Sequence, residues 1–288
     1  MTWGIADRHV LVTGATSGIG LATATELARR GARVTITARD TVKGERAAAD
    51  IAAATGVDVG VRLLDLSTLD SVREFADRIH NDETQLDVLI NNAGAIAGSR
   101  RLTPDGFEWT FGVNHLGPFL LTNLLADILT SSAPARVINV SSEAHRSAKQ
   151  GLDFDDLDMS RGYSSSKAYA ASKLASILFT VELDRRWNDG GIAAKALHPG
   201  VVATSFGKGP EGSRWMGLLM TMLSPVLRKP EQGAATSVML ATADDDTIGR
   251  SLYWSDEQPK QPIPAADDPQ AAERLWTASE RLVGLSPA

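Results

Sequence analysis

The run His9-Val10-Leu11-Val12-Thr13 is short and rich in β-branched residues, and it leads directly into Gly14-x-x-x-Gly18-x-Gly20. From Leu21 to Arg30 the apolar residues then fall at helical spacing. A strand that stops in glycines and restarts as a helix reads as the opening turn of a nucleotide-binding sheet, a purely structural turn being the alternative. Gly14 permits the tight turn, Gly18 lets backbone approach a pyrophosphate, and Gly20 lets the helix pack close to the sheet. The unpaired N–H groups at the helix start, with their partial positive charge, then face the phosphates.

The same alternation continues along the chain. Strand-like runs recur at Arg33 to Thr37, Val59 to Leu64, Asp87 to Ile90, Arg136 to Val140 and Ala193 to Leu197. Helical patterns lie between them, around Lys43 to Ala54 and from Leu69 to Ile79, the latter with Ser67 or Thr68 as its N-cap. Strands alternating with helices predict βαβ units, and nearly continuous apolar strands predict a sheet covered on both faces. The expected fold class is therefore α/β, a Rossmann-type doubly wound parallel sheet with helices on both faces. With 288 residues, 43% of them hydrophobic, and no linker or repeat, the chain suits one domain over 1–288. Its cofactor half runs over about 9–140, and its catalytic helix, lid and tail over about 141–288.

Composition removes several function classes. There is no cysteine, so disulfides, thiolate zinc sites and a Cys nucleophile are excluded. A net charge of −6 argues against a nucleic-acid partner. No apolar window is long enough for a membrane span, and the first residues lack the apolar stretch of a signal peptide, so a cytoplasmic protein is expected. His9, His80, His115, His145 and His198 have no metal-ligand spacing, and no metal is expected. His115 and His198 read as packing beside the site. Asp153, Asp155, Asp156 and Asp158 read as a solvated face, a Ca²⁺ or cationic-substrate site being the alternative.

The chemistry is carried by Tyr169-Ala170-Ala171-Ser172-Lys173. Tyr169 and Lys173 lie one helical turn apart on one face. A dinucleotide turn and a proton donor in one chain imply hydride transfer to a carbonyl, with Tyr169 as general acid/base. A free phenol titrates near ~10, and the Lys173 charge, with that of an oxidised nicotinamide, is expected to lower it; ~3 units would need about 4 kcal/mol. Tyr163-Ser164-Ser165-Ser166-Lys167 has the same spacing. At ~100° per residue the two tyrosines point about 120° apart, so both cannot reach one carbonyl. Tyr169 precedes a long apolar helical pattern, and Tyr163 follows Gly162 in the expected loop.

The end of the second strand reads Ala38-Arg39-Asp40. Ala38 occupies the usual place of the acid that binds a ribose 2′-OH, and Arg39 follows where it can accept a 2′-phosphate. NADP(H) is therefore expected over NAD(H), although a one-residue shift would make Asp40 a ribose ligand.

From about His9 to Gly284 the sequence resembles the short-chain dehydrogenase/reductase superfamily. Thr13-Gly14-x-x-x-Gly18-Ile19-Gly20, with Ser17, is similar to its cofactor turn, Asp65-Leu66 to its adenine contact, and Asn91-Asn92-Ala93-Gly94 to its sheet-stabilising run beside the cofactor. Pro199-Gly200-Val201-Val202-Ala203-Thr204 resembles the stretch that holds the nicotinamide amide. Val113-Asn114-His115-Leu116-Gly117, Ala196-Leu197-His198-Pro199-Gly200 and Tyr253-Trp254-Ser255-Asp256 are similar to the retinol-dehydrogenase-like branch. Many members of that branch carry an N-terminal membrane anchor, a pattern this N-terminus lacks, so membrane residence and retinoid substrates are not carried over.

The resemblance implies further roles. Lys173 would hold the nicotinamide ribose and Asn114 would anchor a water linking Lys173 to solvent. Ser142, at the end of the fifth strand, would be the substrate-facing hydroxyl and Ser141 its neighbour. The segment from Ser205 to Arg228, with Trp215, Met216, Leu218, Leu219, Met220, Met222 and Leu223, would form a substrate lid, or else plain packing or a dimer contact. A homodimer or homotetramer fits the family. The expected activity is NADP(H)-dependent interconversion of a ketone or aldehyde and its alcohol, such as reduction of a bulky aromatic polyketide-like ketone in bacterial secondary metabolism. The main rival is a non-catalytic NADP(H)-sensing regulator, followed by a nucleotide-sugar epimerase or dehydratase and a lipid-surface enzyme held by the Trp/Met segment.

Overall fold

A computed structural model describes residues 3–200 and 228–286. Its centre is an eight-stranded sheet in the order β3-β2-β1-β4-β5-β6-β7-β8. The strands are β1 (His9–Val12), β2 (Arg33–Ala38), β3 (Gly60–Leu63), β4 (Val88–Asn91), β5 (Ala135–Val140), β6 (Ile192–Leu197), β7 (Tyr253–Ser255) and β8 (Gln258–Pro259). All neighbours pair in parallel except β7 and β8. The strand order reverses between β1 and β4, and ligands bind beyond the C-terminal strand ends at such a switch point.

Two apolar cores flank the sheet because alternate strand residues point to opposite faces. Leu11, Leu89, Val137 and Ala194 enter one core; Val10, Val12, Val88, Ile90 and Ile138 enter the other. The helices are α1 (Gly18–Arg29), α2 (Thr41–Thr55), α3 (Leu69–Asp82), α4 (Gly117–Leu124), α5 (Ser165–Trp187), α6 (Pro230–Thr242) and α7 (Pro269–Val283), with shorter turns between. Their starts follow local chemistry. Thr68, not Ser67, caps α3, its side chain accepting from the Ser71 amide at 3.2 Å. Asp40 caps α2 by accepting from the Lys43 amide at 2.9 Å. The alternative role weighed for Asp40, a ribose ligand, thus competes with a capping job the carboxylate already has.

The parallel sheet expected from the sequence gains an antiparallel edge. Tyr253–Ser255 is only three residues long, too short to read as a strand, and pairs with β8 through a turn at Asp256 and Glu257. Both turn residues have positive φ, 55° and 57°, as the tightest hairpins require. Among the described residues no helix is long and apolar enough to cross a membrane.

Candidate active site

The glycine turn lies at the strand reversal and is lashed to the next strand. The Thr13 hydroxyl accepts from the amides of Asn92 and Ala93, both at 3.0 Å, and donates to the Ile90 carbonyl at 3.3 Å. The Asn92 side chain donates to the carbonyls of Thr13 at 2.8 Å and Gly14 at 3.2 Å. This leaves no room for side chains. Gly14 has φ +65°, and a Cβ there would sit 2.8 Å from Ala93 Cα; a Cβ on Gly20 would sit 2.6 Å from the Gly14 carbonyl oxygen. Ser17 precedes α1 in an extended conformation with no side-chain cap bond, and the first turn of α1 holds no acidic residue. Gly14, Ser17, Gly18, Ile19, Gly20, Asn92 and Ala93 therefore gather around one helix N-terminus whose positive end is not neutralised from within, while Gly94 lies beside Lys173 and Asn114. Arg39 is exposed just beyond β2. Asp65 follows β3 and accepts from the Ser67 amide and hydroxyl at 2.9 and 2.7 Å; Leu66 beside it is buried.

The second half of the site comes from α5 and the end of β5. Lys173 is buried, its Nζ donates to the Val140 carbonyl at 2.9 Å, and it stands 5.7 Å from the centre of the Tyr169 ring. A Cβ on Gly94 would lie 3.2 Å from the same Nζ, so the strand run and the lysine are close neighbours. The two serines separate by their partners. Ser141 is buried and donates to the Lys173 carbonyl at 2.7 Å, which ties β5 to α5. Ser142 is half-buried, hydrogen-bonds the Tyr169 hydroxyl, and accepts from the Ala144 amide at 3.2 Å. Asn114 sits in a π-helical turn, Gly112–Leu116. It accepts from the Ala95 amide at 2.8 Å and donates to the Ala95 carbonyl and the Ser172 hydroxyl, both at 2.9 Å. Both of its amide hydrogens are thus engaged in buckling the strand after β4 to α5.

A family model described as short chain dehydrogenase matches residues 8–211. This chain belongs to the short-chain dehydrogenase family. It is 47% identical over 289 residues to retinol dehydrogenase 13 of Homo sapiens, covering 98% of this chain and 86% of that one. It is 46% identical over 282 residues to retinol dehydrogenase 12 of Mus musculus, covering 98% and 88%. These relatives fit the retinol-dehydrogenase-like branch. Among solved structures, an uncharacterized protein from Mycobacterium paratuberculosis superposes with TM-score 0.78 at 40% identity, covering 100% of this chain and 97% of the other. A metagenomic short-chain oxidoreductase in complex with NADP superposes with TM-score 0.63 at 26% identity, covering 84% and 93%.

In this short-chain dehydrogenase the decoy tyrosine is occupied elsewhere. Tyr163 precedes α5, and its hydroxyl donates to the Ala97 carbonyl at 3.0 Å. Burial sets the electrostatics of the protein without cofactor. Burial pushes the Tyr169 phenol up to about 12 against the opposing Ser142 hydrogen bond, and burial brings the Lys173 ammonium down to about 8. In the protein alone desolvation penalises both charged forms, so a lowered phenol depends on the added charge of an oxidised nicotinamide.

Pro199 and Gly200 follow β6, where the Gly200 amide donates to His198 Nδ1 at 3.0 Å and Gly200 takes φ +78°. Val202, Thr204 and the expected lid from Ser205 onward, Arg228 excepted, lie outside the described residues. His115 is buried among Phe111, Phe119 and Phe179, with Nε2 2.8 Å from the Ser279 hydroxyl. The acidic run builds turns: Asp156 accepts from the Ser160 amide and hydroxyl and the Arg161 amide, and Asp158 from the Glu108 amide. Two parts of the site escaped the sequence reading. Thr13 clasps two amides of the neighbouring strand, and a threonine ending a strand is too common to signal that. His145 stands behind Ser142, and its spacing of three residues is visible but has no meaning until the turn is known.

Proposed function

We propose that this chain is an NADP(H)-dependent carbonyl reductase that interconverts a bulky apolar ketone or aldehyde and its alcohol. The observation that carries this reading is the Ser142–Tyr169 hydrogen bond beside buried Lys173, at the edge of the glycine turn. The residues fit a dinucleotide. Gly14 and Gly20 leave the turn bare, and the positive end of α1 is free of capping carboxylates. Gly14, Ser17, Gly18, Ile19 and Gly20 would hold the pyrophosphate, Asp65 and Leu66 the adenine, and Asn92, Ala93 and Gly94 the face beside Lys173. Pro199 and Gly200, continued by Val202 and Thr204, would hold the nicotinamide amide. When bound, the cofactor supplies the hydride.

The chain's own groups handle the oxygen and the proton. The Ser142 hydroxyl donates to the carbonyl oxygen and orients it. Tyr169 Oη donates its proton to that oxygen as the carbonyl carbon becomes an alcohol carbon. With its pKa near 12, Tyr169 is protonated at neutral pH and can serve as the proton donor for reduction. The Lys173 ammonium stabilises the negative charge left on the phenol, while Val140 holds the lysine in place. Asn114 keeps the Ala95 segment and Ser172 in register with Tyr169; a relay water would fall to its main chain.

Lys173 titrates near 8, below its ordinary value, so its charge is present below that pH and lost above it. Tyr169 keeps its proton throughout that window. The rate of reduction, as kcat/KM, is therefore expected to be flat up to about pH 8 and then to fall about tenfold per unit on a single limb. A profile flat to about pH 10 would show that the ammonium charge is not needed.

The NADP(H) preference rests on Arg39 and on the NADP carried by the metagenomic relative. Arg39→Ala is expected to raise the KM for NADPH roughly tenfold and leave that for NADH nearly unchanged, since one charge-assisted pair is worth about 1.5 kcal/mol. Equal effects on the two cofactors would remove Arg39 from the 2′-phosphate. The reading as a whole is tested by NADPH oxidation against carbonyls from small to polycyclic, with all-trans-retinal included because the similar curated proteins are retinol dehydrogenases. NADPH binding with no turnover on any of them would favour the sensor.

A further inference from the structure

The turn that presents Ser142 is held from behind by a histidine with no part in the reaction just described. Ser142 is the N-cap of a short 3₁₀ turn, Glu143–Ser147, and His145 in that turn is 0% exposed. Its ring Nδ1 lies 2.8 Å from the Ser142 carbonyl oxygen, and its main-chain amide lies 3.1 Å from the same atom. A carbonyl only accepts, so Nδ1 carries the hydrogen and the tautomer is set. The edge of the ring is braced by Tyr253 of β7, at 5.2 Å between centroids and 67° between planes.

Ser142 is thus gripped at two ends. Its carbonyl takes two donors from His145, and its hydroxyl accepts from Ala144 while it bonds Tyr169. The main-chain bond alone is the longer of the two to the carbonyl, and a short 3₁₀ turn has poor hydrogen-bond geometry. The ring bond is what stops the Ser142 peptide from rotating and carrying the hydroxyl away from Tyr169. Displacement of a reacting group by about 1 Å is enough to lower a rate roughly 10²-fold.

We propose that His145 is the positioning residue for Ser142, acting through its Nδ1–H bond to the Ser142 carbonyl. The proposal rests on the carbonyl-reductase reading above, in which Ser142 orients the substrate oxygen. Asn at 145 can present an amide N–H near the place of Nδ1. Gln carries its donors one carbon further out, and Phe keeps the ring against Tyr253 with no donor at all.

The test compares H145N, H145Q and H145F, each in the wild-type and the Ser142→Ala background. Steady-state reduction is measured with NADPH and the carbonyl turned over fastest, beside NADPH binding and thermal melting. H145Q and H145F are expected to lower kcat about 10- to 30-fold with NADPH affinity unchanged, and H145N to stay within about threefold of wild type. Either of the first two suffices if the other does not fold. In the S142A background all three are expected to change kcat less than about twofold, because the hydroxyl they position is gone. Equal losses in H145N and H145Q, or an H145Q or H145F loss that persists in full in the S142A background, would overturn the role of His145. An S142A enzyme with wild-type kcat would instead overturn the reading of Ser142, and the role of His145 with it.

Discussion

Replacing Tyr169 by phenylalanine is expected to lower kcat for carbonyl reduction by roughly 10³-fold, with NADPH affinity changed by less than about twofold. The magnitude follows from the two to four orders that a positioned proton donor contributes. Among the described residues, the two nearest candidate donors are engaged elsewhere. Tyr163 donates to Ala97, and Ser141 donates to the Lys173 carbonyl. Ser142 still orients the oxygen but is a far weaker acid than a phenol. The variant keeps the ring and leaves Lys173 bonded to Val140, so the ammonium does not become an unpaired buried charge. Melting temperature is accordingly expected to move little, since the hydrogen bond to Ser142 is worth about 1 kcal/mol. Single-turnover rates beside NADPH titrations check both halves. A variant that retains more than about a tenth of wild-type kcat would remove Tyr169 as the proton donor.

Gly14→Ala is expected to damage folding and cofactor binding together. Two independent penalties apply at this residue. An alanine must adopt φ +65°, which costs about 1–2 kcal/mol. Its Cβ must also sit 2.8 Å from Ala93 Cα and 2.9 Å from Ala93 Cβ. Ala93 cannot yield easily, because its amide and that of Asn92 are both clasped by Thr13. Overpacking of this kind adds about 1–3 kcal/mol. A melting temperature lower by roughly 5–10 °C is expected for a chain of this size. If the turn opens to relieve the contact, the amides at the start of α1 lose their alignment, and NADPH affinity falls at least about tenfold. Melting curves with and without NADPH report both effects: the wild type is stabilised by the ligand and the variant much less. Unchanged melting and unchanged affinity would mean that this turn does not face a dinucleotide.

Much of the fold was readable because its determinants are local. Six strands and the helices that follow Gly20, Asp40, Thr68 and Ser164 announce themselves by period, and the Thr68 cap by chemistry that acts within three residues. The short β7 and β8 do not, since a three-residue strand is defined by the neighbour it pairs with rather than by its own pattern. The π turn around Asn114 is likewise invisible, because its register is imposed by Ala95 and Ser172 from other elements.

The sequence by itself determined the sheet class, the glycine turn and the pairing of Tyr169 with Lys173 on one face, because each depends on spacing along one element. The tertiary structure decided which serine meets Tyr169 and what Tyr163 binds. Those outcomes depend on burial and on partners brought in from distant elements. Ser141 and Ser142 are adjacent and chemically identical, and only the packing of β5 against α5 sends one hydroxyl to the Lys173 carbonyl and the other to Tyr169.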